Sequence, residues 1–334
     1  MSSTISGYLS GVTFGVEVTS PLTITSSGAI GGPSSTEDAV YAAPTYANAV
    51  VINHGVVNAY SIGSDGVDLK DGGSVYNSGI VGGVTPAHIN GDSDGVYIKG
   101  GGTVTNAAYI VGVGDAGVVL EGGYVDNSIA TALIKGAFEG VVISGNGTVT
   151  NSGTITSSVM PAVGIGVLLN TGLVTNTGNA ALIYGVSGIV IDGSAGMVVN
   201  HGSIIATGNQ GLHGGTAGNY GVFLRKGGTV WDSGTISGAY AAVSFAFPLL
   251  GGTADNRMVL YPGYKLVGKV LGNPTAGSTN TVELSAGASS GSVSSLTTEF
   301  VHFGTVQVDS GAQWALSGNY TTGAGGLRSA LPGR

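Results

Sequence analysis

The chain contains no cysteine, only 8% charged residues and nine prolines in 334 positions. Each shortage removes a class of explanation. Without cysteine there is no disulfide framework and no thiolate metal site, a composition that fits an extracellular protein built without disulfides. So little charge, set against 42% hydrophobic residues, excludes the highly charged, apolar-poor composition of disordered chains. Lysine and arginine total ten and are scattered, so no basic patch exists for a phosphate backbone, and nucleic acid is not an expected partner. Long apolar runs are missing as well. Stretches such as Ala180–Tyr184 and Gly188–Ile191 are far too short to cross a bilayer as a helix, so no membrane insertion by this chain is expected. The opening MSSTISGYLSGVTFG has neither a basic segment nor an apolar one, so no secretory signal is expected there. Helical periodicity is missing throughout.

What the chain has is glycine, 63 residues of it. No Gly-x-y period accompanies them, which excludes collagen. The glycines punctuate short Val- and Ile-rich segments, the mark of many strands joined by tight turns. One segment recurs as VVIN (50–53), SVYN (74–77), TVTN (103–106), YVDN (124–127), TVTN (148–151), LVTN (173–176), MVVN (197–200) and TVWD (229–232). A second recurs ahead of it, as GVDL (66–69), GVYI (95–98), GVVL (117–120), GVVI (140–143), GVLL (166–169), GIVI (188–191) and GVFL (221–224). The closing residues of the first set are spaced by 24, 29, 21, 24, 25, 24 and 32. A period near 24 with occasional extra length is a solenoid signature.

The expected fold is therefore all-β: a right-handed parallel β-helix with coils of about 24 residues. Residues 1–48 read as N-terminal capping coils and 49–238 as regular repeats. Residues 239–320 read as divergent C-terminal coils, and 321–334 as a frayed tail. Extra length at 83–94 and 209–220 is expected to leave the stack as loops.

The TVTNSGTI and GGTV units resemble the passenger regions of bacterial autotransporters and related exported β-strand-repeat proteins. The resemblance covers about residues 49–238, and the section 280–318 is similar to the segment that closes such arrays. It implies an exported adhesin or biofilm component at the bacterial cell surface or outside the cell. A translocator barrel, which that family carries, is not recognisable in the closing residues.

Side chains alternate faces along a strand, so the repeats sort polar and apolar columns. Asn53, Asn77, Asn106, Asn127, Asn151, Asn176 and Asn200 fall on one inward column. They are expected to form a stacked structural ladder rather than a ligand row, because buried amides must be paired. The residues between the inward positions of the other strand are Asp68, Tyr97, Val119, Val142, Leu168, Val190 and Phe223. From Tyr97 onward they make an outward apolar stripe, a candidate docking face for another copy of the chain or a surface glycan.

No catalytic constellation is expected. Asp65, Asp68 and Asp71 cluster in sequence, but Asp65 and Asp71 sit beside glycines, where turns favour aspartate. Lys70, Lys99, Glu121, Ser144, Asn170, Asp192 and Arg225 make a mixed-charge column that reads as a solvated corner. Asp92 and Asp94 are weak candidate calcium ligands. His54, His88, His201, His213 and His302 are dispersed without metal-ligand spacing, and no cofactor motif is present. Three functions compete: an exported adhesive solenoid, a carbohydrate-active β-helix (lyase or tailspike-like hydrolase), and a self-assembling filament subunit.

Overall fold

A computed structural model describes residues 2–31, 37–83, 85–158, 164–208, 219–245, 252–317 and 327–329. The chain is all-β, with parallel strands stacked as a β-solenoid of about 12 turns of about 24 residues. Among the described residues the only helix is the short Leu296–Glu299.

Each regular coil contributes three strands rather than the two visible in the repeats, so the rod has three faces. The asparagine face stacks Ala49–Asn53 on Gly73–Asn77 and then on the closing half of Val96–Asn106, in register valine on valine and asparagine on asparagine. The glycine-valine face stacks Val67–Leu69, the opening half of Val96–Asn106, and Val118–Asn127 in the same way. The third face comes from Tyr109–Gly112, Leu133–Gly136, Thr154–Ser157, Leu182–Gly185 and Ser203–Ala206. Each of these strands carries a single inward isoleucine, namely Ile110, Ile134, Ile155, Ile183 and Ile204, all fully buried. Four residues with one fixed inward isoleucine and variable neighbours (YIVG, LIKG, TITS, LIYG, SIIA) are too short to set a period that separates a strand from a turn in sequence.

The core is a set of aliphatic columns, one side chain per coil. Val104, Val125 and Val149 stack from one face, Ile98, Leu120 and Ile143 from another, and none is exposed. The glycine that opens each GV strand is required by close approach. A Cβ on Gly140 would stand 2.5 Å from the carbonyl oxygen of Gly166 and 2.6 Å from the Cγ2 of Ile155. Gly95, Gly117 and Gly166 meet the next coil in the same way, so the corner admits no side chain.

One expectation about an irregular segment changes, and another falls mostly outside the described residues. The insertion at 83–94 is not all loop. Ile80–Val81 and Thr85–Pro86 form a small antiparallel hairpin, but His88–Gly91 is a strand of the third face, paired with Val56–Asn58 on one side and Tyr109–Gly112 on the other. Most of the insertion at 209–220, including His213, lies outside the described residues. The C-terminal strands Asp255–Leu260, Thr279–Leu284 and Thr305–Val308 continue the asparagine face in register. Within the segment expected to fray, Leu327–Ser329 pairs with that face too.

Candidate functional site

The asparagine column is a continuous hydrogen-bonded ladder. The Nδ2 of each of Asn53, Asn77, Asn106, Asn127, Asn151 and Asn176 donates to the Oδ1 of the next asparagine at 2.8–2.9 Å. The same amides donate to turn carbonyls. Asn151 reaches Gly153 O in its own turn and Leu182 O in the next coil. None of the seven asparagines is exposed. Every polar atom is committed to the fold, as buried polar groups require, and no face of the ladder is open to a ligand.

The ladder ends in a carboxylate. Asn200 donates to the Oδ1 of Asp232 at 2.8 Å, and that oxygen also accepts from Gly234 N–H. The Oδ2 of Asp232 is buried without a hydrogen-bond partner, and the next residue in the column is Leu260. Burial pushes the Asp232 carboxyl up to about 6 against its bonds to Asn200 and Gly234.

The second constellation lies on the edge where the third face turns into the glycine-valine face, at the position just before the GV dipeptide. There the chain places Asp38, Asp65, Asp94, Ala116, Glu139, Ile165, Ser187 and Tyr220 in successive coils. The early members are acidic and hold adjacent coils together. Asp38 Oδ1 accepts from Asp65 N–H at 2.7 Å, Asp65 Oδ1 from Asp94 N–H at 2.9 Å, and Asp94 Oδ1 from Ala116 N–H at 2.8 Å. Asp68, one strand position beyond the GV dipeptide, turns back toward this row. Carboxylate oxygens of Asp38, Asp65 and Asp68 all lie within 4.8 Å of one another. Lys70 pairs with Asp68 Oδ2 at 2.6 Å and sits 4.7 Å above the ring centre of Tyr97.

The mixed-charge column from Lys70 to Arg225 lies at the surface, with Lys99, Glu121, Ser144 and Asn170 exposed, but Asp68, expected only as a turn residue, does not. Asp68 is only 2% exposed, and its register neighbours along the rod are Tyr41 and Tyr97. Burial pushes Asp68 up to about 7 in spite of Lys70, and Asp65 up to about 6, with the negative charge of Asp38 adding to both. Asp94 and Glu139 rise to about 7 for the same first reason, with Asp115 contributing to each. Reading each aspartate singly as a turn residue hid the row. The signal was the recurrence of Asp or Glu just before the GV or AV dipeptide, coil after coil.

The expected calcium pair separates. Asp92 Oδ2 accepts from Gly63 N–H in the preceding coil and Asp94 Oδ1 from Ala116 N–H in the following one, so the two are tied in opposite directions. His54 and His201 are corner residues, bonded to Ser78 O and Ser233 Oγ.

The outward stripe is open for only part of its length. Tyr97, Val119, Val142 and Leu168 are half-buried, whereas Val190 and Phe223 are 1% exposed. Val190 and Phe223 belong to a satellite apolar cluster with Ile165, against which Leu168 and Tyr220 pack. Tyr220 stacks on Phe223 with ring centres 4.7 Å apart and meets Tyr240 edge-on. Here the position before the GV dipeptide has changed from acidic to Ile165 and Tyr220, which gives the outward residues something apolar to pack on. The part of the expected stripe that remains at the surface is therefore Tyr97, Val119, Val142 and Leu168.

No protein-family model, no curated protein and no solved structure matches this chain.

Proposed function

We propose that the protein is a non-catalytic adhesive scaffold working outside the cell, a β-solenoid that binds a surface glycan through its outer faces. The observation that carries this reading is the set of exposed tyrosines on flat, strand-built surface. Tyr76 and Tyr124 stand on the outside of the asparagine face at 43% and 36% exposure, and Tyr109 on the third face at 38%. Between and beside them lie Thr103, Thr105, Thr148 and Thr150, held in register by the strands beneath. Tyrosine offers an apolar ring face and a hydroxyl at low conformational cost, and threonine adds hydroxyls at the spacing of the coils. Such a surface suits sugar rings, which present apolar faces and hydroxyls of their own. Weak contacts repeated along a rigid rod add by multivalency. The likeness of the TVTNSGTI units to autotransporter passengers supports the same reading.

Binding to an array of surface polysaccharides tests it. Replacing both Tyr76 and Tyr124 with alanine should lower binding about tenfold or more, at roughly 1–3 kcal/mol for the lost ring contacts, while leaving the far-ultraviolet spectrum unchanged. Binding that is indifferent to both tyrosines, or release of reducing sugar from the bound glycan, defeats the proposal.

Association between copies is tested separately at the open part of the stripe. Val119→Asp with Val142→Asp should shift any dimer to monomer in sedimentation velocity. Val190 is unsuitable for this purpose, because a charge at a buried site reports on stability.

A further inference from the structure

We infer that Asp38, Asp65 and Asp68 form a binding site for a hard divalent cation of the calcium class, one that clamps the second and third coils of the rod together. The cluster alone would not carry this. The second observation is the Oδ1 of Asp68. This atom is buried and has no hydrogen-bond partner, in a side chain only 3% exposed, and it belongs to a residue whose carboxylate converges with those of Asp38 and Asp65. A buried carboxylate oxygen without a donor, on a side chain drawn together with two further carboxylates, is unfavourable unless a proton shared with Asp38 or a metal ion neutralises the cluster. Lys70 supplies one positive charge, but it is bound at the other oxygen, Oδ2. The Oδ1 side is left to a proton shared among the carboxylates or, once they are ionised, to a metal ion.

The donor set decides the class of ion. The three groups offer oxygen only, which suits calcium, magnesium or manganese and not the softer metals that prefer sulfur or imidazole. Carboxylate oxygens that all lie within 4.8 Å of one another can share one such ion. Burial then favours calcium, because magnesium dehydrates reluctantly and keeps several waters, whereas calcium accepts a shell built mostly from protein oxygens. Two of the ligands already brace the coils. Asp38 bonds the backbone of Asp65, and Asp65 the backbone of Asp94, so their carboxylates are fixed before any ion arrives.

The inference stands apart from the glycan reading, since the site lies away from Tyr76 and Tyr124. The experiment uses the full chain stripped with EDTA and titrated with terbium, whose luminescence is sensitised by nearby tyrosine; Tyr41 and Tyr97 neighbour Asp68 in register. Terbium should bind with one site per chain, calcium should displace it at lower concentration than magnesium, and millimolar calcium chloride should raise the melting temperature by several degrees. Asp68→Asn should abolish both the luminescence and the calcium-dependent shift, and Asp65→Asn should do the same if the first variant folds poorly. Asp71→Asn, an exposed aspartate next door, should retain both. Absence of tyrosine-sensitised luminescence and of any calcium-dependent shift in the parent chain overturns the site. So does a shift that survives both Asp68→Asn and Asp65→Asn.

Discussion

Asn151→Ala is expected to destabilise the rod by about 4 kcal/mol. The truncation removes one accepted and three donated hydrogen bonds at a position with no exposure. It leaves the Oδ1 of Asn176 without its donor and one hydrogen of Asn127 short of an acceptor, and it strips a second donor from Gly153 O, which keeps the Leu182 N–H, and a donor from Leu182 O. Each orphaned buried group costs about 1–3 kcal/mol, partly recovered by relaxation. Ser152→Ala, one residue on, loses only a part-buried hydroxyl contact to Thr177 and should cost less than about 1 kcal/mol. Urea denaturation of the two variants measures the difference. Because each coil contacts only its neighbours, hydrogen exchange should quicken first in the strands on either side of residue 151. Equal stabilities for the two variants would mean that the ladder contributes shape but little energy.

The opposite sign is expected at the end of the same ladder. Asp232→Asn should stabilise the protein at pH 8. The ordinary carboxyl value is 3.8 and the folded value about 6, so the folded state keeps its proton to higher pH than the unfolded one. Stability from this group is full below the lower value, declines between the two, and is down by about 3 kcal/mol once pH has passed the upper one. Asparagine removes that decline. It also places an amide nitrogen where every earlier ladder residue has one, facing turn carbonyls that a charged Oδ2 can only repel. The loss of stability between pH 4 and pH 8 should be smaller for the variant than for the parent by about 3 kcal/mol, because Asp65, Asp68, Asp94 and Glu139 keep their own raised values in both. A variant less stable than its parent at pH 8 would show that Asp232 is held ionised by groups other than those bonded to it.

The columns legible in the sequence were those whose residue type repeats without interruption. Asparagine every 24 or so residues, after alternating valines, carries its own explanation, because an amide both gives and receives and can stack on itself indefinitely. The GV dipeptides were equally plain. Three things escaped. The third face was hidden because its strands are four residues long with one inward side chain, such as Ile134 or Ile155, too few to set a period. The acidic row was hidden because its members differ, aspartate, then alanine, then glutamate, then isoleucine, and because glycine beside aspartate already had an adequate local reason. The burial of Val190 and Phe223 was hidden because alternation says which way a side chain points, not what lies over it. Periodicity specifies directions, whereas a site depends on what neighbouring coils put beside one another.

The ladder also has a direction. Asn53 opens the series, its Oδ1 accepting from Gly55 in its own turn; from Asn77 to Asn200 each amide receives from the coil before and gives to the coil after, and the series stops at a residue that can only receive. A unit inserted anywhere between those ends would meet the same donor on one side and the same acceptor on the other. The length of the rod is thus open to editing in whole turns by duplication or loss of a coil, with no new pairing to be invented. Asp232 serves as the terminal punctuation that any such edit must leave in place.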